Sequence, residues 1–220
     1  MSIPSDLRSR KRLATRQSIS NVATQLFHER GFDQVTVDEI AAAADVGRMT
    51  VFNYFPRKED MFFDRDEEGR EMLRDALRQR DPEVSPVEAL RLLAHSLVAE
   101  ESPYVRFPAG APGFISAGSQ GFIETIEGSE TLKARARAIR DEIAQVITEA
   151  LSGCAGREPD DADAKLTAGV LLATWTVALI EAHRIFRQSQ DKEKAQAAFL
   201  AIVDKGSMGL KAAMAGTPYA

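Results

Sequence analysis

Apolar residues recur with the period of an α-helix along nearly the whole of this 220-residue chain. In SISNVATQLFHERG, Ile19, Val22, Ala23, Leu26 and Phe27 fall at i, i+3, i+4, i+7 and i+8, one face of a helix that Gly31 terminates. The next segment, TVDEIAAAA, opens on Thr36 and carries Glu39 three residues later, the spacing of a capping box. A third helical stretch opens after Asp45-Val46-Gly47 and runs to Phe55, where Pro56 stops it. From Arg57 a charged amphipathic stretch continues to about Arg80 and reads as a lever leaving the first three helices. Ser85 and Pro86 suit the start of the next helix, and residues 102–121 are rich in Pro and Gly. Helical patterning resumes over 122–127, 129–152, 164–188 and 191–214. Nowhere do apolar and polar residues alternate with period two. The expectation is an all-α protein of about nine helices, with a three-helix head at 1–58 and a helical body at 59–220.

Two short helices joined by a tight turn, with an earlier helix packed across them, describe a helix-turn-helix. Val46, Val51 and Phe55 would anchor the second helix on Ile40, Leu26 and Phe27. That leaves Arg48, Met49, Thr50, Phe52, Asn53 and Tyr54 on or beside its outer face. Arg48 can donate two hydrogen bonds to guanine and Asn53 can pair bidentately with adenine, while Thr50 or Met49 can lie against a thymine methyl. Tyr54 can donate to a phosphate, and Lys58 and Thr36 sit at helix starts, where backbone N–H groups also favour phosphate.

Charge supports this reading without deciding it. The net charge is −5, yet residues 1–20 hold Arg8, Arg10, Lys11, Arg12 and Arg16 against Asp6 alone. Residues 1–60 carry 9 basic and 8 acidic side chains, leaving 19 basic and 25 acidic ones for the remainder. A basic end on an acidic body fits a polyanion-binding head whose Arg8–Arg16 arm adds sequence-independent contacts; a solvated charged terminus fits equally well. Cys154 is the sole cysteine, so no intrachain disulfide forms. The first residues have no apolar segment of the signal-peptide type, and the longest mostly apolar run, 168–180, is 13 residues. The expected setting is the cytoplasm, with no membrane contact.

The run RQSISNVATQLFHERGFDQVTVDEIAAAADVGRMTVFNYFPRKEDM resembles the DNA-binding domain of TetR-family transcriptional repressors. The likeness spans residues 14–61 and is dense: F-x-E-x-G-F, then T-V-x-E-I-A-x-A-A, then T-V-F-x-Y-F-x-x-K-E. It implies an all-helical homodimer whose two heads read a palindromic operator in double-stranded DNA. It also implies a C-terminal domain in which a small-molecule effector binds and releases the DNA. By the same resemblance Arg48, Met49, Thr50, Phe52 and Asn53 face the groove, and Thr36, Tyr54 and Lys58 contact the backbone. Three positions depart from the pattern. Asp45 replaces a usual turn glycine, but Asp tolerates a left-handed backbone. Phe52 replaces a common tyrosine, and Asp38 stands where the family is often basic; Asp38 would accept from a cytosine amino group or face solvent, and is not counted among the contacts.

The body is read against that expectation. The helix at 164–188 is apolar almost all round between Val170 and Ile180, and the last helix carries a stripe of Phe199, Val203, Gly206, Leu210 and Ala213. The two helices are the candidate dimer interface, with Leu179, Phe199, Val203 and Leu210 as its residues; packing as core helices of a monomer is the alternative. Candidate effector-pocket residues are His95, Phe107, Phe114, Phe122, Val170, Leu171 and Trp175, with Glu124, Glu181 and His183 as further polar contacts. That lining suits a largely apolar effector. Enzyme fragments do not hold together: Ala117-Gly118-Ser119-Gln120-Gly121 has no preceding strand, and Gly113–Gly121 lacks the G-K-[ST] of a phosphate loop. His28, His95 and His183 have no metal-ligand spacing. No catalysis, metal or cofactor is expected. Control by a protein partner, action without a ligand, and activation in place of repression are the alternatives for the body.

Overall fold

Local capping chemistry sets most element boundaries. The computed structural model describes residues 7–102, 104–105 and 120–220, apart from the side chain of Gln120. Helix α1 spans Leu7–Arg30 and ends at Gly31, whose φ of 83° is rarely open to a residue with a Cβ. A 3-10 turn, Phe32–Gln34, leads to α2, Val37–Ala43. There Thr36 Oγ1 accepts from Glu39 N, and the Glu39 carboxylate accepts from Thr36 N, as the T-x-x-E spacing predicts. Helix α3 is Arg48–Tyr54 and α4 is Lys58–Phe62. Helices α5, Asp66–Arg78, and α6, Pro86–Ala99, follow, the latter capped by the Ser85 hydroxyl with Pro86 in its first turn. The remaining helices are α7, Gln120–Glu127; α8, Glu130–Cys154; α9, Ala162–Ser189; and α10, Lys192–Ala213. The fold is all-α, and no strand occurs among the described residues.

Two expectations change. The basic residues read as an arm lie on the first half of α1, because the helix already begins at Leu7. The stretch from Arg57 to Arg80 is two helices, not one lever. Phe63 leaves helical geometry, with φ −100° and ψ 40°, and meets Phe62 and Phe122 edge-on at 5.2 and 5.8 Å. The next residue, Asp64, accepts from the Ser20 hydroxyl through its carboxylate and from Arg16 through its carbonyl. Those tertiary bonds to α1 outweigh one more turn of helix, a trade that periodicity cannot register.

The chain forms two compact units, one made of the residues up to Asp64 with Gly121–Arg135, the other of those from Arg65 with Ala136–Ala220. The first has a single apolar core in which Ile19, Ala23, Phe27, Ile40, Val51, Phe55, Met61 and Leu132 are essentially sealed from solvent. Phe122 of α7 stacks on Phe62 with centroids 4.5 Å apart, and Ser129 donates to Asp33 at 3.0 Å. Segments distant in sequence thus complete the core beneath the helix-turn-helix.

The second unit has two core clusters, one around Leu77, Leu90, Ile147, Leu151 and Leu171, the other around Leu97, Ala178, Ala182, Phe199 and Val203. Helix α9 is long and apolar enough, by length and composition alone, to cross a membrane. Its Ala164, Thr167, Ala168, Leu171, Ala178, Ala182 and His183 are packed inside the chain, while Leu166, Val170, Val177 and Ile180 are exposed.

Candidate nucleic-acid interface

The turn between α2 and α3 decides where the recognition side chains point. Asp45 N donates to Ala42 O and Val46 N to Ala41 O, the paired bonds of a Schellman motif. Asp45 takes the left-handed position with φ 53°, so the chain turns without a glycine. Val46 then drops onto the head core, and α3 starts at Gly47 with the backbone extended.

The side chains of α3 separate by their fate. Val51 is 0% exposed, and Phe55, just beyond the helix, is equally buried against Leu26, Phe27 and Ile40. Arg48, Met49 and Asn53 are exposed, and Thr50, Phe52 and Tyr54 are half-buried at the edges of that face. Met49 is 72% exposed, an apolar side chain held in water by a helix whose other side is anchored. The arrangement brings Arg48, Met49, Thr50, Phe52 and Asn53 onto one short helix that offers donors, an acceptor and apolar surface to a groove.

The expected backbone contacts fare differently. Tyr54 packs its ring against the head core at the edge of the face. The Thr36 hydroxyl is engaged by Glu39, which is also 3.1 Å from Arg30. Lys58 turns inward: its ammonium donates to Phe32 O at 2.8 Å and to Val35 O at 2.9 Å, and lies 4.1 Å from the centre of the Phe32 ring. Burial pushes its pKa below the ordinary lysine value, partly countered by Asp33 and Glu59. Arg16, read as part of a DNA-binding arm, sits 4.6 Å above the Phe55 ring and braces Asp64 O. Arg10, Lys11 and Arg12 remain exposed on α1. Asp38, outside the expected set of contacts, lies 2.6 Å from the Arg48 guanidinium. Ten residues separate them, on different helices, so only the turn geometry could reveal the pair.

In the second unit Leu171 and Trp175 share one core cluster, and the other described candidates have different surroundings. Leu171 is buried, and Trp175 is half-buried edge-on to Phe199 at 6.2 Å. Val170 is on an exposed position of α9. His95 joins a polar network between α6 and α10: its Nε2 is 2.7 Å from Asp204, which Arg91 also contacts, and Arg91 and Lys211 both bond Glu88. The Arg91 bond, aided by Lys211 against partial burial, holds the Glu88 carboxyl at about 2. Phe122 belongs to the core of the first unit, because it stacks on Phe62. Phe107 and Phe114 lie outside the described residues. Glu181 pairs with Arg184 on its own helix, and His183 is buried, its pKa lowered to about 4 by burial and by Arg187.

Among the candidate interface residues, Phe199, Val203 and Leu210 are packed inside the protomer, and Leu179 is half-buried. The stripe read on the last helix faces α9 of the same chain, because Gly206 lets the two helices meet: a Cβ there would stand 2.2 Å from Thr174 Cγ2. The exposed apolar positions are instead Leu166, Val170, Val177 and Ile180 on α9 and Met208 on α10. Periodicity shows that both faces of α9 are apolar but not which one its own chain covers.

Residues 19–64 match the family model of bacterial regulatory proteins of the tetR family. A protein of Mycobacterium tuberculosis named for mycofactocin biosynthesis transcriptional regulation, MftR, is 47% identical over 49 residues, which are 22% of this chain and 25% of that one. The match therefore covers about a quarter of that relative's length. Among solved structures, a complex of SmeT with triclosan superposes with a TM-score of 0.56 at 19% identity, covering 89% of this chain and 91% of that one. GusR of Salmonella enterica does so with a TM-score of 0.53 at 20% identity, covering 91% and 95%. These two likenesses speak for the fold.

Proposed function

We propose, from the match of residues 19–64 to the tetR family of bacterial regulatory proteins, that the chain is a sequence-specific DNA-binding transcriptional repressor. It acts as a homodimer on a palindromic operator and is released by a small, largely apolar effector held in the second unit. The observation that carries this reading is the division of α3: Val51 and Phe55 are sealed in the core while Arg48, Met49 and Asn53 stand in solvent. A helix serving only to close the head would not expose Met49, whose side chain gains nothing from water. In this reading Arg48 takes guanine, Asn53 adenine, and Thr50, Met49 and Phe52 thymine methyls, with Tyr54 on the flanking phosphate. Lys58 spends two of its three ammonium donors on Phe32 O and Val35 O, which leaves one for a phosphate.

The exposed apolar line on α9, Leu166, Val170, Val177 and Ile180, supports dimerisation, since its spacing is that of a helix seam and a second copy would shield it. Two-fold symmetry then presents two short readers to half-sites one DNA turn or more apart. Support for an effector comes from the aromatic and aliphatic second core around Trp175, and from the likeness to SmeT in complex with triclosan.

The test is binding of the full chain to DNA from upstream of its own gene at two salt concentrations. Affinity falls as salt rises, and Asn53→Ala weakens binding by about 1–3 kcal/mol. Salt-independent association, or an unchanged Asn53→Ala complex, refutes DNA reading by α3. A metabolite screen for release of that DNA then separates a ligand-gated repressor from a regulator with no ligand.

A further inference from the structure

The groove-facing side of the head carries an acidic group next to its principal cation. Asp38, on the first turn of α2, places Oδ2 2.6 Å from Nη1 of Arg48 at the start of α3. Both side chains are largely exposed, at 64% and 57%. The Arg48 guanidinium also lies 5.5 Å from the centre of the Phe52 ring. Neither the Asp38 nor the Arg48 side chain makes another hydrogen bond among the described residues.

Three physical points give the pair a role. An exposed ion pair contributes little to stability, so the fold does not depend on it. A carboxylate held against a polyanion is repelled by every phosphate nearby, whatever the sequence, and the repulsion weakens all complexes alike unless something offsets it. The offset is geometric. With Nη1 engaged by Asp38 and the flat face supported by Phe52, a long flexible side chain keeps one orientation, and its Nε–Nη2 edge stays free. That edge matches the O6 and N7 acceptors of guanine. The second Asp38 oxygen meets a donor if the neighbouring base edge is the amino group of cytosine, and a repelling acceptor if it is thymine O4 or guanine O6.

We propose that Asp38 determines operator specificity through Arg48, holding the guanidinium so that its free edge reads one guanine in each half-site while its own charge penalises DNA lacking that pattern. The inference rests on the DNA-reading function of α3 and specifies a G·C pair within the half-site. Asp38 is here a positioning residue, and a weakened general affinity accompanies the gain in discrimination.

The experiment uses the full-length chain and a pool of duplexes of random sequence, with bound fractions sequenced after equilibration. Wild type enriches a guanine at one position of each half-site. Asp38→Asn keeps the shape, removes the charge and leaves thermal unfolding unchanged. It binds the unselected pool several-fold more tightly and loses roughly tenfold of the preference at that guanine. Arg48→Ala loses the same preference, and adding Asp38→Asn to it changes the preference no further, since the two act as a unit. Asp38→Glu restores part of the preference. If Asp38→Asn tightens binding to all sequences with the guanine preference intact, the carboxylate is only a repulsive charge and the inference falls. It also falls if the two variants alter preferences at different positions. Absence of any enrichment by wild type overturns DNA reading by α3 itself, and this inference with it.

Discussion

The Lys58 ammonium lies 2.8 Å from Phe32 O and 2.9 Å from Val35 O, tying the turn after α1 to the start of α4. Phe32 O also accepts from Val35 N in the 3-10 turn, and at this bend a charged donor from another element adds more than a solvated one. Lys58→Met keeps the stem against Phe32 and deletes only the two bonds; it should lower stability by about 1.5–3 kcal/mol in urea unfolding. An unchanged midpoint would place the ammonium in water. His183 shows the complementary case of a titratable group buried on α9. Burial and Arg187 lower its pKa from 6.5 to about 4, so the unfolded chain gains a proton near pH 6.5 that the folded chain accepts only near 4. The stability this neutral group contributes is complete above pH 6.5 and declines as pH falls towards 4, by on the order of 2–3 kcal/mol. His183→Gln should flatten the stability curve across that window relative to wild type; parallel curves would mean that the imidazole is solvated. The identity of each residue was plain in the sequence, but its use was not, because carbonyls and charges from distant segments decide it.

At the scale of elements, short-range signals were the readable ones. The Thr36–Glu39 box, the Ser85-Pro86 start and the Gly31 stop all depend on partners within four residues, and all appear at their positions. The Asp45 turn belongs here too, since the Schellman bonds close within six residues. The break at Phe63–Arg65 was not readable, because it depends on Phe122 and Ser20, from two other helices. The close approach of α9 and α10 at Gly206 and Thr174 is likewise a tertiary fact. Gly206→Ala must push the helices apart and should cost about 1–3 kcal/mol, followed by thermal unfolding. Thr174→Ala in the same chain removes the methyl and hydroxyl that a new Cβ would strike, and should recover most of the loss. No recovery would mean that strain at another contact governs the cost.

On the scale of the whole molecule, the apolar line on α9 is a surface that a single chain leaves uncovered. Ile180 is 60% exposed, so Ile180→Glu should leave the protomer folded by circular dichroism and shift sedimentation towards a monomer. Because a lone recognition helix reads few bases, the same change should reduce operator affinity more than tenfold, with the head intact. A dimer persisting at micromolar concentration would move the interface to another face.

By itself the sequence determined the helical class, the caps, the position of the helix-turn-helix and the residues eligible to touch bases. These follow from periods of three to four residues and from caps closed within a turn, which any chain of this pattern must satisfy. Tertiary structure decided which eligible residues stay available. Lys58 and Arg16 are drawn into the head, Phe122 joins its core, and Phe199, Val203 and Leu210 are enclosed within the protomer. Asp38 comes to rest against Arg48. Each of these outcomes depends on the competition of a side chain between water and partners far along the chain, and burial settles that competition only once the core has closed.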